Sequence, residues 1–69
     1  MKKTNYSVFQ EETEYGIEYG IICEENGKPY LSVNKISPNR NIVEEMAEKF
    51  NNYDLASNQF LDEVEDSIP

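Results

Sequence analysis

The sequence predicts an α+β domain: a three-stranded antiparallel β-meander followed by two α-helices packed on one face, in the order βββαα. Two patterns carry this prediction. Apolar residues alternate with period two, between turn residues, through the first half. They recur at helical spacing, behind cap residues, through the second. Strands followed by helices mark the α+β class. At 69 residues the chain is under half of a typical domain of about 150. With no internal repeat, low-complexity tract or linker, residues 1–69 read as one small domain.

The elements follow in order. A first strand is expected over 5–10, ending in the acidic turn Glu11-Glu12-Thr13-Glu14. A second covers 15–24, where Tyr15, Ile17, Tyr19, Ile21 and Cys23 all fall on odd positions. The third covers 29–36. Asn26-Gly27 between these runs signals a hairpin, and the loop length sets the register. A two-residue Asn26-Gly27 turn would pair odd positions with even ones and send Leu31 and Val33 to the wrong face. A three-residue loop, Glu25-Asn26-Gly27, keeps parity and is the expected form, with Ile21 facing Leu31, Tyr19 facing Val33 and Ile22 facing Tyr30.

The first helix is expected over 38–51, started by Ser37-Pro38 or by Asn41 with Glu44 as capping-box partner. Val43, Met46, Ala47 and Phe50 form its apolar stripe, and Asn51-Asn52 is its expected stop. The second helix is expected over 57–67, capped by Ser57, with the stripe Phe60, Leu61, Val64 and Ile68 before Pro69.

Composition narrows the function. The net charge is −8, from 14 acidic and 6 basic side chains. Direct partners that are nucleic acid or anionic lipid are excluded by repulsion, since both are bound through cations. There is no His, so the commonest general base and metal ligand is missing. The lone Cys23 cannot form an intramolecular disulfide, which fits a reducing cytoplasm. Lys2 and Lys3 are followed by acidic residues before any apolar stretch, and no run reaches the 18 residues of a spanning helix. A soluble, cytoplasmic protein is expected. Five Tyr, three Phe and the periodic segments argue against a disordered chain.

Candidate chemistry is sparse. Cys23 lies on the inner strand face with no base to activate it. Ser37 and Ser57 read as caps, and no glycine-rich phosphate loop exists. Asp62-Glu63-Val64-Glu65-Asp66 lacks the alternating ligands and central glycine of a calcium loop. No catalytic residue, no metal and no cofactor are therefore expected, and the protein reads as a non-enzyme.

The carboxylates dominate. Residues 1–36 hold six acids and four lysines, for −2, whereas residues 37–69 hold eight acids with Arg40 and Lys49, for −6. Helical spacing puts Asp62, Glu63, Glu65 and Asp66 away from Phe60, Leu61 and Val64, and Glu44, Glu45 and Glu48 away from Val43 and Met46. Lys49 is placed to pair with Glu45. Ile22 with Tyr30 is expected to add a small apolar anchor on the outer sheet face.

Tyr15-Gly16-Ile17, Ile36-Ser37-Pro38, Ile42-Val43-Glu44 and the segment Phe60-Leu61-Asp62-Glu63-Val64-Glu65-Asp66 occur in that order. In this the chain resembles a family of small bacterial proteins of unknown function, with strands ending in Ile-Ser, a helix, and a C-terminal Leu-Asp-x-Val-Glu-Asp segment. That resemblance implies the fold and no role. In size, charge and element order the chain is also similar to phage-encoded anti-CRISPR inhibitors, some of which look like DNA to their targets.

The expected function is a non-enzymatic, acidic protein-interaction module. Its most concrete form is a small inhibitor or regulator, DNA-mimic in style, docking on the basic surface of a nucleic-acid-binding protein. Partner-binding residues would be Glu44, Glu48, Asp62, Glu63, Glu65 and Asp66, with Ile22 and Tyr30. The alternative is a bacterial regulatory domain that forms a homodimer through its sheet, its acids serving solubility alone.

Overall fold

The computed structural model describes residues 3–67. Strands β1 (Thr4–Thr13), β2 (Gly16–Glu25) and β3 (Lys28–Ser37) form one antiparallel sheet in the order β1-β2-β3. Helices α1 (Arg40–Asn52) and α2 (Phe60–Ser67) follow, the second entered through a 3-10 turn at Ser57–Gln59. The fold is α+β with the βββαα order predicted. Ile68, the last residue of the stripe expected on α2, lies outside the described residues, as do Lys2 and Pro69.

Strands β1 and β3 run longer than expected, and β2 keeps its expected length but lies one residue further along. Glu11, Glu12 and Thr13 belong to β1, and the connection to β2 is Glu14-Tyr15. Backbone pairing simply continues through the acidic segment until Gly16, at φ 121°, lets the chain reverse. Tyr15, counted with the strand on periodicity, therefore sits in the turn. Val8 points inward, opposite Ile21, while Phe9 pairs with Gly20 on the outer face.

The β2–β3 hairpin keeps its apolar parity by another route than the three-residue loop. Glu25 pairs with Lys28, so the turn is Asn26-Gly27 alone, at φ 53° and 81°. Two successive positive φ values match the strand twist, as in a type I′ turn. A bulge then restores parity: Glu24 opposes Pro29 but Cys23 opposes Leu31, leaving Tyr30 as the extra residue. Ile21 consequently faces Val33, and Ile22 faces Ser32 instead of Tyr30. A second irregularity sets residues 34–36 opposite Gly20, between the pairs Ile21–Val33 and Tyr19–Ser37. Lys35 takes a left-handed φ of 54° within it.

Helix α1 uses neither expected cap, Ser37 or Asn41, and begins at Arg40. Asn39 is the N-cap, its Oδ1 accepting from the Asn41 N–H at 3.0 Å, while Ser37 Oγ accepts from the Asn39 N–H. At the other end Asp54, at φ 52°, is the left-handed residue, not Asn51 or Asn52. The Leu55 N–H reaches the Phe50 carbonyl and the Asp54 N–H reaches that of Asn51. That bond pair is a Schellman motif, with Leu55 folded back toward the core.

Asn51 has a different task. Its Oδ1 accepts from the Tyr6 N–H at 2.8 Å and its Nδ2 donates to the Tyr6 carbonyl at 2.9 Å. The side-chain amide thus stands in for a fourth strand at one position of the open β1 edge. Asn51→Ala would strand both backbone groups, and a loss of about 1–3 kcal/mol is expected in urea unfolding. An unchanged midpoint would show that water replaces the amide without cost.

Both helices cover one face of the sheet. Tyr6, Ile21 and Cys23 from the strands meet Val43, Met46, Ala47 and Phe50 from α1 and Phe60 and Val64 from α2, all buried. At the centre three rings pack edge to face or tilted: Tyr6–Phe60 at 5.2 Å, Tyr6–Phe50 at 5.5 Å and Phe50–Phe60 at 6.1 Å between centroids. The Tyr6 hydroxyl leaves the cluster to donate to the Leu55 carbonyl at 2.7 Å. Ile17, which shares the odd-numbered positions of β2 with the buried Ile21 and Cys23, is 45% exposed at the far end of the strand.

Candidate functional site

The amphipathic pattern of α2 places its charges. Phe60 and Val64 face the core, so Asp62, Glu65 and Asp66 are exposed and Glu63 is half-buried. Among the described residues none of these four carboxylates has an ion-pair partner. Asp62 and Glu63 lie in the first turn, where the helix dipole favours negative charge. Glu65 and Asp66 lie beyond it, where the dipole offers no such compensation.

On α1 the picture divides. Glu44 and Glu48 are exposed, but Arg40 Nε donates to Glu44 Oε1 at 2.7 Å, so Glu44 is partly neutralised. The pair is solvent-exposed and contributes at most about 0.5 kcal/mol. The Lys49–Glu45 pair expected from spacing does not form. Lys49 and Glu45 instead share a surface groove with Ile42 and Met46 of α1 and Asp66 and Ser67 of α2. The fold therefore brings Glu45 and Asp66 to one groove. Sequence spacing could not show this, since it depends on how the two helices lie together.

The two apolar candidates do not form one anchor. Ile22 is half-buried on the outer face opposite Ser32. Tyr30, displaced by the bulge, is exposed and lines a shallow depression with Thr4, Ala56, Ser57 and Asn58. Beside it Ser57, expected as a cap, instead donates its hydroxyl to Glu25 Oε1. This ties the start of the second helical segment to the β2–β3 turn.

Cys23 is fully buried and burial pushes its thiol up from the ordinary range, with Glu25 and Glu24 adding to the rise against a lowering hydrogen bond to Tyr6. A protonated, enclosed thiol is a poor nucleophile. Among the described residues no three Cys, Asp or Glu side chains gather closely enough to hold a metal ion, and no helix is long and apolar enough to cross a membrane.

Tyr6 is also pushed well above its ordinary value, first by burial and then by Cys23 and Glu25. Its phenol thus holds its proton in the folded state at a pH where the unfolded chain releases it. Above about pH 10 the unfolded state binds fewer protons, so stability should fall as pH rises from there. Alkaline titration of the urea midpoint tests this, and Tyr6→Phe should flatten the slope that Tyr6 adds. An identical slope in the variant would assign the loss to other groups.

Comparison of the chain with protein-family models, with curated proteins and with solved structures found no match. The two resemblances drawn from short motifs and element order therefore carry no part of the functional reading.

Proposed function

We propose that this chain is a non-enzymatic protein-interaction module whose acidic helical half docks on the basic surface of a nucleic-acid-binding protein, acting as an inhibitor or regulator in the cytoplasm. One observation carries the reading: Asp62, Glu63, Glu65 and Asp66 occupy one short helix without an ion-pair partner among the described residues. Carboxylates three or four residues apart on a helix, such as Asp62 with Glu65 or Asp66, have Cβ atoms about 5–6 Å apart, comparable with the spacing of phosphates along a nucleic-acid strand. Glu48 extends the negative surface on α1, while Glu44 contributes less because Arg40 holds it. Ile22 and Tyr30 would act as separate contacts.

The test compares the natural chain with a variant carrying Asp62→Lys, Glu63→Lys, Glu65→Lys and Asp66→Lys. Each is immobilised and offered host lysate at low and high salt, and captured proteins are purified and assayed for DNA or RNA binding. Capture that weakens with salt, fails in the variant and displaces nucleic acid is expected. Salt-independent capture that survives charge reversal would overturn the reading. A folded variant that dimerises as the natural chain does, with no partner for either, would favour self-association through the sheet.

A further inference from the structure

We propose that the tip of the β1–β2 hairpin is a second docking surface, which inserts Tyr15 into an apolar pocket rimmed by lysine or arginine on a partner protein. This goes beyond the reading above, because it concerns neither helix. The last pairing of β3 with β2 is Tyr19–Ser37. From there β1 and β2 continue as a two-stranded ribbon through Glu11–Glu18, Glu12–Ile17 and Thr13–Gly16, roughly 10 Å of further strand. The molecule is correspondingly elongated, 41 × 23 × 17 Å.

The ribbon ends in apolar groups with nothing over them. Tyr15 is 92% exposed, the most exposed large apolar side chain among the described residues, and Ile17 lies two positions away on β2. The turn backbone that carries Tyr15 is held in place: the Tyr15 N–H donates to Thr13 Oγ1 at 3.1 Å, and the Thr13 hydroxyl donates to the Gly16 carbonyl at 2.8 Å. A tyrosine has only two side-chain torsions to order, so it gives large contact area for little entropic cost, which is why it is common among interface hot spots.

Charge identifies the occupant. Residues 11–18 include four glutamates and no basic residue. Glu11 and Glu18 stand directly opposite each other across the ladder, an arrangement that costs stability in the free protein. Asn34 Nδ2 donates to Glu11 Oε2 at 3.2 Å, which eases this repulsion without supplying a positive charge. A partner pocket with cations at its rim would remove the repulsion on binding, whereas nucleic acid or an anionic membrane would increase it.

The experiment uses the full chain with a photoreactive benzoylphenylalanine in place of Tyr15. Irradiation in host lysate is expected to give an adduct, and sequencing of the cross-linked peptide should place apolar residues beside lysine or arginine. With the purified partner, Tyr15→Ala should weaken binding by about 30-fold or more at an unchanged melting temperature. Joint Glu12→Gln and Glu14→Gln should flatten its salt dependence. Glu18→Gln alone should raise the melting temperature by about 1–5 °C. No adduct, an adduct only with a second copy of the chain, an adduct on an acidic surface, or affinity indifferent to Tyr15→Ala would each overturn the proposal.

Discussion

Phe60→Ala is expected to unfold most of the population at 25 °C, with the far-ultraviolet helical signal and the urea transition both lost. Phe60 is fully buried and packs against both Tyr6 and Phe50, so its removal takes away two of the three ring contacts and opens a cavity where sheet, α1 and α2 meet. Such truncations cost about 3–5 kcal/mol. A domain of this size buries only about 60% of its unfolded surface and has little stability beyond that to lose. The neighbouring Leu61 is the control. It lies on the same helix but is exposed, so Leu61→Ala should change the midpoint by no more than about 0.5 kcal/mol. Equal effects at the two positions would mean that α2 contributes no more to stability through its buried face than through its exposed one.

Gly20→Ala is expected to be the most damaging glycine substitution. A Cβ at Gly20 would lie 2.3 Å from the Val33 carbonyl oxygen and 2.8 Å from both Asn34 Cα and the tip of the Phe9 ring. The ring can swing aside; the backbone of β3 cannot without undoing the irregularity at residues 34–36. A loss of about 1–3 kcal/mol or more is expected, with altered amide shifts along residues 33–37. At Gly16 and Gly27 an added methyl meets nothing within 4 Å, and the penalty there comes from positive φ alone. If Gly20→Ala proved milder than Gly27→Ala, the close approach of β3 to Gly20 would be wrong.

These two positions also show what could be read from residue order. Phe60 was placed in the core by spacing to Val64, since helical periodicity is a local property. The two irregularities of β3 leave no mark in residue order, because Lys35 carries no residue signature for a left-handed backbone and Tyr30 none for a bulge. The alternation nonetheless constrained the answer: Leu31 and Val33 had to face inward, and the chain satisfied that with a tight turn plus a bulge. Asn tolerates positive φ, so residue order points to Asn51 as a helix stop, yet Asp54 takes that conformation and Asn51 reaches across to β1. Contacts 45 residues apart leave no mark in a local pattern.

The candidate surfaces divide in the same way. The outward places of Asp62, Glu65 and Asp66 on α2 follow from its periodicity, whereas Glu63 is half-buried and Leu61, expected in the apolar stripe, is exposed. The pairing of Glu44 with Arg40 and the meeting of Glu45 with Asp66 depend on side-chain reach and helix placement. The acidic hairpin tip was hidden by averaging. Counting residues 1–36 as −2 merged four glutamates at residues 11–18 with lysines that belong to other parts of the sheet.

The hydrogen bonds of Tyr6 bear on the order of events in folding. Its backbone partner Asn51 lies 45 residues downstream and its hydroxyl acceptor Leu55 lies 49 downstream. The three strands can pair early through short turns, but a bare three-stranded sheet with an uncovered apolar face has little independent stability. Tyr6 must therefore wait for the helical segment, which the ribosome makes after the strands. Consolidation of the first strand is a late, long-range step, and substitutions at Tyr6 and Asn51 should speed unfolding more than they slow folding.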